Sequence, residues 1–321
     1  MDSLPLELHA QIFEFACTDD GTTARALSLV SHYIREVAAP FLYQSLSISG
    51  LKQMNDLCER LATTPPHLRR IRHLFLSDWT AADVRKHTSA PSDMERYDAE
   101  RSFAARILAL AAPTLEALTL VVSCPFTAPP LIGELFATPF PRLADLAVHG
   151  FYPFPHTPGA LPALRSLRLS GHRNPHGLFQ LGSLAAAAPR LTHLRLSDIA
   201  AAAPFARELH AAALPHDPSS AAATATGGGV GLAPALPPSL KHVAIDVRRL
   251  QQGVHFRGTL TRGLANAHDK MLALLREVEL RRGDTALDAF AVAESDGWEM
   301  YGELRREWLV GLGIAVEQES L

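Results

Sequence analysis

The chain has 321 residues, of which 47% are hydrophobic and 20% are charged, so it can bury a large core as two domains or as one elongated array. A formal net charge of -3, with arginines spread along the chain, excludes the basic field that nucleic-acid binding requires. The three cysteines lie far apart, which excludes a disulfide framework and a CxxC zinc pair and favours a reducing, intracellular location, cytoplasmic or nuclear.

The first predicted element is a helix within LPLELHAQIFEFA, residues 4–16. At 100° per residue its apolar side chains fall into two sectors. One sector holds Leu4, Leu8, Ile12, Phe15 and Ala16, and the other holds Leu6, Ala10, Phe13 and Cys17. A unit of about 45 residues is too small to bury both sectors, so one sector is expected to contact the rest of the chain or another chain. Which sector does which stays open.

The next segment, residues 22–46, supplies a surface for one of these sectors. Leu27, Val30, Ile34 and Val37 have helical spacing, and Pro40 ends the run. Asp2 and Glu7 stand where a secretory signal carries basic residues, so no export signal is expected. The most apolar long window, residues 104–126, contains Arg106, Pro113 and Glu116 and predicts no membrane span.

One phrase, P-x-L-x-x-L-x-L, recurs along the rest of the chain. Five copies begin at Pro113, Pro141, Pro162, Pro189 and Pro238, and two looser copies end at Leu76 and Leu280. The closing L-x-L has period two, which predicts a short strand whose two apolar side chains share one face. The predicted pairs are Leu74/Leu76, Leu118/Leu120, Leu146/Val148, Leu167/Leu169, Leu194/Leu196, Val243/Ile245 and Val278/Leu280.

The segments between the copies predict helices and one long loop. Residues 94–111 form a helical pattern with Phe103, Ile107 and Leu110 on one face. Residues 216–237 are rich in Pro, Gly, Ser and Ala and predict a flexible loop, whose GGGVG lacks the Lys-Ser/Thr of a phosphate-binding loop. After residue 283, a helix is predicted to close the open end of the array through Trp298, Tyr301, Leu304, Trp308 and Leu312.

The recurring phrase resembles the leucine-rich repeat family over about residues 66–282. The resemblance implies an α/β fold, an irregular solenoid of parallel strands with helices or loops outside and a C-terminal capping helix. The family places Asn or Cys three residues after the last strand leucine, whereas this chain has Ser123 in one copy and Ile199 in another. A regular asparagine ladder is therefore not expected.

The N-terminal residues resemble the F-box, which docks receptors onto the Skp-type adaptor of cullin ubiquitin ligases. The resemblance lies in Leu4-Pro5, Glu7-Leu8, Ile12-Phe13, LSLVS at 27–31 and IREVA at 34–38. APFLYQSLSI, residues 39–48, is similar to the continuation of fungal F-box proteins, and an F-box followed by leucine-rich repeats is a known architecture. Tyr33-Ile34 stand where many members have tryptophan.

The combined resemblance implies a three-helix F-box-like domain at residues 1–46 and a repeat domain at residues 47–321. It implies a non-catalytic substrate receptor that binds the Skp-type adaptor and a target protein. The adaptor-binding residues it implies are Leu4, Pro5, Leu8, Ile12, Phe13, Leu29, Val30 and Ser31. The alternative is a repeat scaffold outside any ligase, whose N-terminal helices only cap the solenoid.

Target binding is expected from side chains that project between the strand leucines. The middle positions are Phe75, Thr119, Ala147, Arg168, Arg195, Ala244 and Glu279, flanked by His149, His193, His242, Asp246 and Arg281. Adjacent strands lie about 4.8 Å apart, so Arg168 and Arg195 are expected to stand side by side. Two guanidinium groups suit a carboxylate or phosphate on a partner, and solvated arginines on a polar face are the alternative.

No catalytic, metal or cofactor site is predicted. The sequence contains no G-x-S-x-G, H-E-x-x-H or P-loop motif. His172 and His176 are four residues apart, but Pro175 and two glycines predict a loop, which favours surface histidines over a metal site. Cys17 and Cys124 lie in apolar strings, where a thiol usually fills the core.

Overall fold

A computed structural model describes residues 4–80, 94–172, 174–180, 183–214, 234–250, 259–295 and 300–314. The chain divides into two compact units. Unit 1 comprises residues 1–150 and the C-terminal segment from residue 299, and unit 2 comprises residues 151–298. No helix in the described ranges is both long enough and apolar enough to span a bilayer.

Unit 1 begins with three helices that pack on one another. They are α1 (Leu6–Ala16), α2 (Thr22–Leu27) and α3 (His32–Ala38). A 3-10 turn at Ala39–Phe41 follows α3, since Pro40 has no N–H to continue the helix. The turn between α1 and α2 is fixed by Asp19, whose carboxylate accepts from the backbone N–H groups of Gly21 at 2.9 Å and Thr23 at 2.8 Å.

The remainder of unit 1 alternates strands with helices. The elements are β1 (Ser45–Ser49), α4 (Gly50–Thr63), β2 (His73–Ser77), α5 (Met94–Ala111), β3 (Ala117–Val121), α6 (Ala128–Ala137) and β4 (Asp145–His149). Each strand pairs in parallel with the next one along the chain. Helix α5 packs between α4 and α6.

The register confirms the predicted strand pattern in unit 1. Leu74 pairs with Leu118 and Leu118 with Leu146, so equivalent positions of the repeated phrase align across three strands. Both members of each L-x-L pair in these strands are buried. Strand β1 was not predicted, because SLSIS at 45–49 lacks the repeated phrase.

Unit 2 repeats the same alternation. Its elements are β5 (Ser166–Ser170), α7 (Ser183–Ala187), β6 (His193–Ile199), α8 (Ala203–Ala213), β7 (His242–Arg248), α9 (Thr259–Leu280) and β8 (Ala289–Ser295). Strands β5 to β8 pair in parallel in chain order, and α8 packs on α9. The chain is therefore an α/β protein with parallel strands, as predicted.

The predicted seventh strand, Val278/Leu280, is wrong. Both residues lie in α9, where Met271, Leu275 and Val278 are buried at helical spacing while Leu280 is 87% exposed. In this copy of the phrase the helical spacing of three and four residues determines the structure, because no proline precedes the copy to end the helix. The strand follows instead at Ala289–Ser295, which the repeated phrase does not mark.

The C-terminal helix, α10 (Met300–Gly311), belongs to unit 1. It was predicted to close the open end of the array, but it packs on the strands of unit 1, with Tyr301 and Trp308 against Phe75 of β2. Its apolar face matches the predicted helical spacing, with Leu304 and Trp308 buried. Trp298 and residues 216–233 of the predicted loop lie outside the described residues.

Candidate functional site

Helix α1 has one buried and one exposed apolar side. The buried side consists of His9, Phe13 and Cys17, with Ala10 partly buried beside them. Phe13 and Cys17 pack with Ala24 of α2 and with Ile34, Val37 and Ala38 of α3. The sequence did not determine which of the two apolar sectors packs inside the chain. In the structure it is the sector containing Phe13, which forms the core of the three helices.

The opposite sector of α1 is exposed. We call it the outer face, defined by Leu4, Leu8, Ile12 and Phe15. Their exposed fractions are 44%, 43%, 50% and 79%, respectively. Phe15 was placed in this sector by the sequence but was not named as a binding residue, although its spacing from Leu8 and Ile12 was the signal that could have identified it.

The turn between α2 and α3 adds two exposed apolar side chains. Leu29 is 80% exposed and Val30 is 65% exposed. Ser31 follows them as the N-cap of α3, and its side chain accepts a hydrogen bond from the backbone N–H of Ile34 at 3.2 Å. The predicted adaptor-binding serine therefore has a structural role, because it fixes the turn that presents Leu29 and Val30.

Phe13 was predicted to bind the adaptor, but only 7% of it is exposed. It lies in the helical core because its position on α1 is about 100° from that of Ile12. The other α1 residues predicted to bind the adaptor, Leu4, Leu8 and Ile12, lie on the outer face, and Pro5 is exposed immediately before the helix.

His9 and Tyr33 join α1 to α3 near the exposed turn. His9 Nδ1 lies 3.0 Å from the Tyr33 hydroxyl, and the two rings meet edge to face with centroids 5.7 Å apart. Tyr33 remains 43% exposed. Tyr33 thus keeps a partly exposed aromatic ring at the surface of α3.

Polar contacts attach the three helices to the first strands. Gln44 Nε2 donates to the carbonyl oxygen of Glu14 at 2.8 Å, and the Ser45 hydroxyl donates to the carbonyl oxygen of Asp19. Arg72 places Nη1 3.0 Å from a Glu14 carboxylate oxygen while its other nitrogens bind Glu116. The outer face is therefore presented from a helical unit that is bonded to β1 and to the residue preceding β2.

A second candidate surface lies in unit 2, on the strand positions between the buried leucines. Arg168 pairs in register with Arg195, so the two arginines stand on neighbouring strands as predicted. Arg195 Nε donates to Asp246 Oδ2 at 2.7 Å, and the Ser197 hydroxyl donates to the same oxygen at 2.7 Å. The guanidinium of Arg195 is therefore already paired with a carboxylate of the chain, which weakens its attraction for a partner's anion.

The two predicted histidines adjoin this network. His193 and His242 pair in register on β6 and β7, and their rings stack with centroids 4.3 Å apart. Arg281, in contrast, is wrongly placed by the prediction. It follows α9, where it bonds Asp284 at 3.1 Å, and it is not on a strand.

His172 and His176 have separate partners. His176 Nδ1 lies 2.9 Å from Glu208, whose buried carboxylate also accepts from the backbone N–H groups of Gly177 and Phe179. His172 lies among aromatic rings, with Phe151 stacked on it at 4.7 Å, and burial lowers its pKa. The two histidines of this loop therefore have structural contacts, His176 with Glu208 and His172 with aromatic rings.

The cysteines lie in the core. All three are buried, and burial, followed by the Asp19 charge, raises the pKa of Cys17 to about 11. Burial also raises the pKa of Cys58, so both of these thiols are held in their unreactive protonated form. Within the ranges that the structure describes, no three His, Cys, Asp or Glu side chains gather as a metal site.

Comparison with known proteins gives no relative. No protein-family model, curated protein or solved structure matches this chain at a significant level. The assignment of a function therefore depends on the residues of the chain itself, principally on the outer face of α1 and the adjoining turn.

Proposed function

We propose that the chain is a non-catalytic substrate receptor of the F-box type. In this function the outer face of α1, with Leu29 and Val30, docks the Skp-type adaptor of a cullin ubiquitin ligase. The strands form an irregular leucine-rich-repeat solenoid that binds a target protein. The proposal rests on the F-box resemblance of residues 4–38 and is supported by the two-sided character of α1.

The observation that carries the proposal is an apolar helix face that the described part of the chain leaves uncovered. A single exposed leucine is ordinary, but several apolar side chains on one side of a small helical unit indicate a contact surface. Leu8, Ile12 and Phe15 follow one another at helical spacing, and the inner side of the same helix is packed. Covering each of them would contribute about 1 to 2 kcal/mol to binding.

The test is binding of a purified Skp-type adaptor to the full chain, measured by calorimetry. Leu8→Asp introduces a charge on the outer face and should weaken binding at least tenfold. Leu6→Asp is the matched control, because Leu6 is 54% exposed in the same helix but lies about 160° away from Leu8. It should bind as the wild type does.

Because Leu8 is exposed, its substitution should leave the fold intact. Thermal melts of both variants should match the wild type, which separates lost docking from lost structure. Failure of the wild type to bind the adaptor would refute the proposal, and so would equal weakening by the two substitutions.

The alternative function is a scaffold whose N-terminal helices only cap the repeats. The bonds from Gln44 to Glu14 and from Ser45 to Asp19 favour it, because they tie the helices to β1 as a cap requires. Under this function the chain binds no adaptor. The Leu8→Asp and Leu6→Asp chains should then be alike in calorimetry with the adaptor and in thermal melts.

A further inference from the structure

Helix α10 covers the strand face on which a target was expected to bind. Tyr301 meets Phe75 edge to face with ring centroids 5.6 Å apart, and Trp308 lies 5.9 Å from the same ring. Helix α10 also contacts β3. Because Leu74 and Leu76 point to the opposite face of β2, α10 lies on the side away from the layer of buried leucines.

Polar bonds fix the orientation of α10 on this face. The Tyr301 hydroxyl lies 2.7 Å from the hydroxyl of Ser49 at the end of β1. Arg305 Nη2 donates to Asp20 at 2.9 Å. Aromatic, basic and aromatic side chains thus follow one another at positions 301, 305 and 308 of one helix face.

The covered positions correspond to the target-binding positions predicted from the sequence. Phe75 is 0% exposed, and Thr119 on the next strand is also buried. In unit 2 the equivalent positions, Arg168, Arg195 and Ala244, are only partly buried. The face that was expected to take a partner therefore carries a helix of the same chain in unit 1.

The packing of α10 leaves one polar group unpaired. Trp308 is 5% exposed, and its indole N–H has no hydrogen-bond acceptor among the described residues. A buried donor without an acceptor opposes the burial of the ring. A different helix that supplied an acceptor there would fit this face better.

The sequence of α10 also weakens the helix. Gly302 and Gly311 lie within it, and a Cβ added at either would meet no atom within 4 Å. Glycine destabilises a helix relative to alanine, and packing does not require it at these two positions. A helix of 12 residues is too short to persist in water without docking.

We propose that α10 is a displaceable internal occupant of a helix-binding surface formed by β1, β2 and β3. The partner that replaces it is a protein segment that forms an amphipathic helix. That segment presents two aromatic side chains two turns apart, with a basic residue between them for Asp20. The inference rests on the proposed function only in identifying this segment with a ligase target, since the displacement itself needs no adaptor.

The experiment measures binding of a fluorescently labelled peptide of residues 299–314 to three full-length chains by anisotropy. Leu304→Asp should release α10 from the strands, because Leu304 is buried on its docked face. Gly302→Ala with Gly311→Ala should hold α10 in place, because alanine strengthens the helix at open positions. Relative to wild type, the first chain should bind the peptide at least tenfold more tightly and the second at least threefold more weakly.

A peptide with Tyr301→Ala and Trp308→Ala is the specificity control, and its binding to the Leu304→Asp chain should be lost. Hydrogen exchange gives a second measurement, in which the amides of α10 in the wild type should exchange at least tenfold faster than those of β2. Equal peptide binding by the three chains would overturn the proposal. Collapse of the fold in the Leu304→Asp chain, or equal protection of α10 and β2, would also overturn it, because either result makes α10 part of the core.

Discussion

Asp78 is a buried acid whose substitution by asparagine should stabilise the protein at neutral and alkaline pH. It follows β2 and is 5% exposed. Its Oδ2 accepts from the backbone N–H of Ser123 at 2.8 Å and from the Ser123 hydroxyl at 3.0 Å. Its Oδ1 has no hydrogen-bond partner among the described residues by distance and angle, and Asp78 lines a cavity with Tyr97 and Glu100.

The size of the expected stabilisation follows from the raised pKa of Asp78. Burial raises the pKa of Asp78 from 3.8 to about 7; the charge of Glu100 reinforces this shift, and hydrogen bonds from Ser123 and from the Cys124 backbone oppose it. Between these values the folded state binds a proton that the unfolded state has released, so stability falls as the pH rises through this window. Above pH 7 the penalty is complete and amounts to about 4 kcal/mol at most.

Asp78→Asn removes the charge and keeps an acceptor for both Ser123 donors. Its amide NH2 group would take the position of Oδ1, beside a cavity that Asp78 and Glu100 both line. At pH 8 we therefore expect the variant to be more stable than the wild type by about 2 to 4 kcal/mol. Near pH 4, where the wild-type carboxyl is protonated in the folded state, the two chains should differ by less than about 1 kcal/mol.

The assay is urea unfolding at several pH values between 4 and 8, followed by tryptophan fluorescence. Trp79 and Trp308 belong to unit 1, as Asp78 does, and Trp298 belongs to unit 2, as Asp246 does, so the signal reports on both units. Asp246→Asn is the matched control and should destabilise the protein, because it weakens the pairing with Arg195. A stability difference for Asp78→Asn that is independent of pH, or a destabilisation at pH 8, would refute the argument.

Three further substitutions test the fold, each by urea unfolding. Leu194→Ala should cost about 2 to 5 kcal/mol, because Leu194 is buried in β6, whereas Lys241→Ala, an exposed ion-pair residue, should cost less than about 1 kcal/mol. Equal costs would contradict the strand register. Ser31→Ala should cost about 1 kcal/mol through loss of the α3 N-cap; no measurable cost would show that the cap is dispensable. Glu208→Ala should cost about 3 kcal/mol or more, because it leaves the buried N–H of Phe179 and the part-buried N–H of Gly177 without an acceptor, and a cost below about 1 kcal/mol would contradict this role.

The strands that the sequence identified are those in which local pattern and tertiary environment agree. In Leu118/Leu120 and Leu194/Leu196, a proline and a buried leucine precede an apolar pair of period two. These four side chains are buried in parallel strands as expected. A period of two over so few residues is informative because the phrase recurs, and each copy supports the others.

The errors arose where one short window fits two periods. Val278 and Leu280 have the spacing of a strand, but Val278 also continues the helical series of Met271 and Leu275. Only the residues that pack against these side chains decide between a strand and a helix. Strands β1 and β8 were missed for the opposite reason, since neither carries the phrase that identified the others.

The sequence predicts that α1 has two apolar faces, but it does not predict which of them packs against the other helices. Angular position alone separates Phe13 from Leu8 and Ile12, yet it cannot determine which side meets α2 and α3. The sequence also does not predict where α10 packs. Its apolar spacing predicts a packed helix, but the contact of Tyr301 and Trp308 with Phe75 joins residues more than two hundred positions apart.

Carboxylates accept backbone N–H groups in both units of the chain. Asp78 accepts from the backbone N–H of Ser123, which follows β3, and Glu208 accepts from the N–H groups of Gly177 and Phe179. A carboxylate can receive these donors as an amide oxygen does, but it brings a charge that burial penalises. Asp246 meets that charge with Arg195, whereas the contacts described for Asp78 include no cation. The stability difference between Asp78→Asn and the wild type should therefore depend on pH, because asparagine would keep the acceptor and remove the charge.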